Sequence, residues 1–225
     1  RKTGPAILLA AAALVIAPPA SSAPLGCGAV GGAVVDGLCQ VVESAPGYTL
    51  DLRFPLDYPD EPAIVDYLGQ TKAGFLNVAN TPESPETLGR PYELDATAES
   101  FRSAQTRSVV LTLFQNVGGA HPSTWYKAFT YDSGRSRPVT FDTLFAPGAK
   151  ALDAIFPIVQ NTLETDTGLA GSISPGDGRD PANYQNFAIT DDALIFFFGR
   201  GELLPSYAGA TSVSVPRSAI PPLQI

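Results

Sequence analysis

The chain has 225 residues, 44% hydrophobic and 16% charged, with 14 basic against 22 acidic side chains and a formal net charge of −8. This apolar share supports a real core and excludes a disordered polar chain. With no basic stripe, binding nucleic acid through phosphate neutralisation is also excluded as a working reading.

Arg1-Lys2 precede an apolar run from Ala6 to Ala17, which ends in Pro18-Pro19-Ala20-Ser21-Ser22. A short positive head, a Leu/Ala-rich middle and a small-residue exit are the parts of a secretory signal peptide. Ala20 and Ser22 suit the two specificity positions, so residues 1–22 are expected to be removed and residues 23–225 to form one secreted domain. The sequence opens on Arg1, so a residue or more is expected before it. A lipoprotein signal would use Leu25-Gly26-Cys27, but Pro24 stands where such a signal wants an aliphatic residue. No second apolar segment follows that could serve as a membrane span.

Cys27 and Cys39 are the only cysteines. In an exported chain an even count reads as a disulfide, here closing a 27–39 loop rich in glycine. The rival reading, a metal site, lacks partners, because one His and two thiols cannot complete a tetrahedral set. No metal or cofactor is therefore expected.

Beyond Val41, the alternation of Tyr48–Phe54 predicts a half-buried strand. Asp60 can cap a helix, and Pro62 suits its first turn. Ile64, Leu68, Phe75, Leu76 and Ala79 then recur at helical spacing, which predicts a helix over 61–79. Residues 81–90 read as a loop, Tyr92–Ser100 as a strand and Arg107–Phe114 as its antiparallel neighbour. Gly118-Gly119-Ala120-His121-Pro122 breaks that strand, since the glycines open otherwise closed backbone angles and Pro122 has no amide hydrogen. Thr124–Tyr131 alternates as another strand, Asp132-Ser133-Gly134 turns, and Pro138–Phe145 reads as a returning strand. A helix is expected over 150–167, with Pro157 kinking it or marking its true start. After a Gly/Pro/Asp loop come Tyr184–Thr190 and Ala193–Phe198. The second of these is apolar throughout and so predicts a central strand covered on both faces. Thr211–Val215 is a last short strand. Hairpins around two separated helices give an α+β fold with largely antiparallel sheet and two main helices packed on it.

The runs GGAHP and YDSGRSRPVTFDTLF, flanking an aromatic strand, resemble the domain of unknown function that ends the lysozyme-sensing anti-sigma factor. Together with YQNFAITDDALIFFFGRGELLP and VPRSAI, they resemble the mycobacterial secreted immunogenic protein family more closely still. The likeness spans roughly residues 40–220. It implies a secreted α+β domain without a shared, settled activity. Because the related domain forms part of a lysozyme receptor and accompanies cell-wall deacetylases, the likeness implies a protein or cell-wall glycan partner in the envelope.

His121 is the one histidine, so any Ser-His-Asp hydrolase here must use it. The constellation within reach in sequence is His121, Ser123 and Asp142. No G-x-S-x-G elbow is present, which excludes an α/β-hydrolase at motif level. A lone His after two glycines more often holds a turn, its imidazole donating to a carbonyl across it. We therefore expect His121 to be structural or binding-related, with Trp125 and Tyr126 as binding aromatics, one of them exposed. A secreted esterase using His121 is the alternative. Asp191-Asp192 reads as a turn pair, and Gly176–Asp180 lacks the spacing of a calcium loop. Glu202 in GELLP is expected to bond to backbone.

Overall fold

The computed structural model describes residues 26–81, 91–119 and 121–225. The expected signal segment and most of the 81–90 loop lie outside those residues.

The first element is a hairpin of β1 (Ala33–Val35) and β2 (Leu38–Ala45), absent from the sequence reading. Asp36 and Gly37 form its two-residue turn, with φ of 50° and 80°. Positive φ at both central positions matches the strand twist, and Asp-Gly is a preferred pair for it. Cys39 of β2 is bonded to Cys27, 12 residues away, which ties the chain start to the sheet.

Next come β3 (Tyr48–Pro55), α1 (Glu61–Ala79), β4 (Tyr92–Arg102), β5 (Thr106–Asn116), β6 (Ser123–Asp132) and the two-residue β7 (Arg137–Pro138). These strands join β1 and β2 in one seven-stranded sheet in sequential order. Every pairing is antiparallel except β3 with β4, where α1 makes the crossover. Period-2 alternation sends Leu50, Leu52 and Phe54 of β3 toward α1, which returns Ile64, Leu68 and Phe75.

The 138–145 stretch corrects a reading. Only Arg137–Pro138 pairs as strand; Phe141–Leu144 is a one-turn helix, α2. Thr140 and Thr143 form a reciprocal capping box there, and that local bonding wins over β-pairing. The long helix α3 (Ala151–Thr167) runs through Pro157 and does not start at it. Its buried face, Ala151, Ile155, Phe156, Val159 and Leu163, spans both sides of the proline, so packing overrides local propensity.

Strands β8 (Phe187–Ile189), β9 (Ala193–Phe198) and β10 (Thr211–Pro216) form a second, antiparallel sheet with β9 in its centre. Phe196 and Phe198 pack with Ile155, Val159 and Leu163 of α3. Phe197 projects the other way, against Val110 of the large sheet, with Phe101 and Tyr126 at centroid distances of 5.8 and 5.3 Å. The layers therefore run α1, large sheet, small sheet, α3. This is the expected α+β architecture, with β9 covered on both faces.

Polar bonds stitch the two sheets. Thr130 Oγ1 donates to the Phe187 carbonyl at 3.0 Å, and Ser108 Oγ, 2.9 Å from Thr130 Oγ1, accepts from the Ile189 amide at 3.3 Å. Both side chains, Ser108 and Thr130, are buried, so each hydroxyl needs its mate.

Two stability outcomes follow from this packing. Phe197→Ala removes the ring between the sheets and should lower the denaturation free energy by about 3–5 kcal/mol; a loss under about 1 kcal/mol would contradict the layer order. Reducing the Cys27–Cys39 bond should cost about 3 kcal/mol in the same assay, and an unchanged curve under reductant would remove that tie.

Candidate functional site

At the start of β6 the large sheet meets the loop that leaves β9. The Arg200 amide donates to the Thr124 carbonyl at 2.8 Å, so the loop continues the sheet as a single rung beside β6. Two glycines permit this approach. A Cβ on Gly199 would stand 3.2 Å from Trp125 Cα, and Gly201, at φ +81°, would bring one to 2.8 Å from Ser206 Oγ. Glu202 closes the loop, its carboxylate accepting from the Gly199 amide at 2.7 Å, the backbone bond expected of it.

Arg200 then reaches across the gap. Its Nε donates to the Ser206 carbonyl at 2.8 Å and its Nη1 to the Pro122 carbonyl. The result is an open cleft of about 180 Å³ lined by His121, Pro122, Ser123, Arg200 and Ser206. Of the sequence candidates, His121 and Ser123 are brought together here. Sequence reasoning does not find Arg200 and Ser206; the signal for Arg200 is the GRGELLP run, which carries the family resemblance and Glu202, and Ser206 follows directly after it.

Asp142 does not join them. It lies on α2, past the far end of β6, a ten-residue strand about 30 Å long. There it lines a separate shallow groove with Phe141, Phe145, Lys150 and Leu152. The His121–Ser123–Asp142 set is therefore not a triad. The His121 imidazole is exposed and makes no hydrogen bond among the described residues.

Trp125 and Tyr126 do face opposite ways, yet both are half-buried. Trp125 Nε1 donates to Tyr67 Oη of α1 at 2.9 Å, while Tyr126 packs tilted against Phe197. Both faces of β6 are covered, which is why neither ring is free. Burial, reinforced by the charge of Glu99, raises the Tyr126 hydroxyl above its ordinary range. The other acidic candidates are structural. Asp191 accepts from the Ala104 amide at 2.8 Å, joining two turns, and Asp177 and Asp180 bond Ser174 and the Ala182 amide within their own turns.

Comparison with known proteins places this geometry in context. A family described as a protein of unknown function, DUF3298, matches residues 142–218, which include Arg200 and Ser206. The esterase Rv3036c of Mycobacterium tuberculosis is 54% identical over 95% of both chains. Immunogenic protein MPT64 of the same species is 46% identical over 81% of this chain and 80% of its own. The chain belongs to the MPB64/MPT64 immunogenic protein family. A crystal structure of a DUF3298 protein from Pseudomonas aeruginosa shares the fold of this MPT64-family chain, with a TM-score of 0.57 at 12% identity, covering 82% of this chain and 93% of its own.

One further ionisable group stands out on this family member's large sheet. Asp95 pairs in register with Asp51 and sits two residues from Glu93 on the same face of β4. Its carboxyl is pushed up to about 6, first by burial, then by the hydrogen bond and charge of Glu93 and by the charge of Asp51, against the opposing charge of Arg53. A raised folded value means that the stability it contributes is complete below about pH 4 and lost as pH rises through about 6. Asp95→Asn should therefore flatten the fall in melting temperature over that window. At pH 7.5 the variant should be more stable by about 1–2 kcal/mol after solvent screening. Identical pH profiles for the two proteins would contradict this.

Proposed function

We propose that the protein is an exported carboxylic ester hydrolase working in the His121 cleft. The observation that carries this is the cleft itself, where the one imidazole of the chain shares a lining with two serine hydroxyls. The relative named an esterase, alike over nearly the whole chain, supports it. In this reading a serine Oγ attacks the ester carbonyl while His121 takes its proton. The new Oγ–C bond forms, the ester C–O bond breaks, and the leaving alkoxide takes the proton from His121. Water, deprotonated in turn by His121, then cleaves the acyl-serine, releasing the acid and restoring the hydroxyl. Ser123 and Ser206 compete for the nucleophile's role, and single alanine substitutions separate them. We assign residues 1–22 to a cleaved signal peptide and residues 23–225 to one secreted domain, and the Cys27–Cys39 bond supports that extracellular setting.

Among the described residues no carboxylate lines the cleft to orient His121, which makes turnover slow. The same observation favours a second reading, a binding module that meets a protein or cell-wall glycan in the envelope without hydrolysing anything.

His121→Ala decides between them. The imidazole is exposed and unbonded, so the variant should melt within a degree or two of the parent, an effect of under about 0.5 kcal/mol. Its p-nitrophenyl ester turnover should fall by roughly 10²-fold or more. A folded variant that keeps full turnover would end the hydrolase reading and leave the binding module.

A further inference from the structure

Arg200 is a cation that the fold leaves without an acid. Arg53, Arg102, Arg135 and Arg179 each lie against an aspartate carboxylate, and Lys72 lies against Glu43. Of the described cations without such a partner, which include Arg217, Arg200 is the one that lines the cleft with His121 and two serines. Arg200 meets only two carbonyls, those of Pro122 and Ser206, and no carboxylate contacts it among the described residues. Neutral carbonyls fix the position of a guanidinium without cancelling its charge. They spend two of its five N–H donors and leave three. The plane of the fork is thus held in advance, so an incoming anion meets it with little ordering cost.

Among the described residues the cleft lining adds no compensating charge, and Glu202, the acid of the same loop, is turned onto the Gly199 amide. The rest of the cleft lining is one imidazole, one proline and two serines. In a chain of net charge −8, a fixed positive group in a concave site is a local sink for anions. Chain geometry also places that sink beside the reacting groups: Ser206 supplies both a hydroxyl to the cleft and the carbonyl that anchors Arg200.

We propose that Arg200 makes this cleft select esters that carry a carboxylate, such as monoesters of short dicarboxylic acids. The guanidinium holds the free carboxylate in a forked pair of hydrogen bonds while the ester carbonyl lies at the serine hydroxyl and His121. Only a short carbon span separates the two ends, because both sets of groups share a cleft of about 180 Å³. Arg200 is a specificity residue in this account, and the proposal rests on the ester-hydrolase reading.

The test compares kcat/KM for p-nitrophenyl hemisuccinate and its neutral counterpart, p-nitrophenyl butyrate. The parent should prefer the hemisuccinate, and added salt should erode that preference. In Arg200→Gln the preference ratio should fall by about tenfold or more, with Arg200→Lys between the two. The lysine variant and the salt series keep the test open should the glutamine variant not fold. Succinate titrated into His121→Ala protein, followed by NMR, gives a readout without turnover. It should bind there and lose binding when Arg200→Gln is added. Succinate binding without any ester turnover would sustain the anion site while refuting the hydrolase reading. Turnover with no preference for the hemisuccinate, or with a preference that Arg200→Gln leaves intact, would overturn the proposal.

Discussion

The contact on which the rest depends is the insertion of Phe197 between the two sheets. Alternation along β9 sends Phe196 and Phe198 to α3 and Phe197 to the large sheet, so one apolar strand serves two cores. That sharing fixes the height at which β9 crosses β6, and with it the level at which the loop after β9 emerges. Ser108, Thr130 and the backbone of Phe187 and Ile189 add direction to an interface whose apolar contacts alone have none.

The cleft is the consequence. Where the small sheet ends, the chain turns at Gly199 and lays the Arg200 amide on the Thr124 carbonyl. Side chains from one end of β6 and from a loop 78 residues later then face one another. The covered middle of β6 is used for packing, Trp125 on one side and Tyr126 on the other, so the open cleft lies at its rim. Loops positioned by a rigid scaffold carry function for this reason.

Local signals were legible in the sequence and distant ones were not. The apolar spacing over 61–79 and the acids and proline at its start gave α1 within its observed bounds, and the unbroken apolar run 193–198 gave a doubly covered strand. The Asp36-Gly37 turn is equally local in its signal, but the glycines spread through the 27–39 loop mask the short strand of Ala33–Val35 beside it. The turn at Asp132–Gly134 predicts a returning strand through Phe145, but the two capping threonines, Thr140 and Thr143, make Phe141–Leu144 a helical turn. At the site, His121 and Ser123 were found because they are neighbours in sequence. Arg200 and Ser206 join them only through a sheet-to-sheet register that no spacing encodes, and Asp142 was included for its closeness in sequence, though β6 carries it away. The exposed aromatic was expected because one covered face was assumed; the second sheet covers the other.

The account stands on the cleft being the reactive centre, and a mechanism-based label tests that most directly. The protein is treated with a p-nitrophenyl alkylphosphonate, which phosphonylates an activated serine, and the adduct is located by peptide mass mapping. The account predicts a single adduct on Ser123 or Ser206 that is not formed in His121→Ala protein. An adduct at a serine outside the cleft, or one that forms equally well without His121, would contradict it.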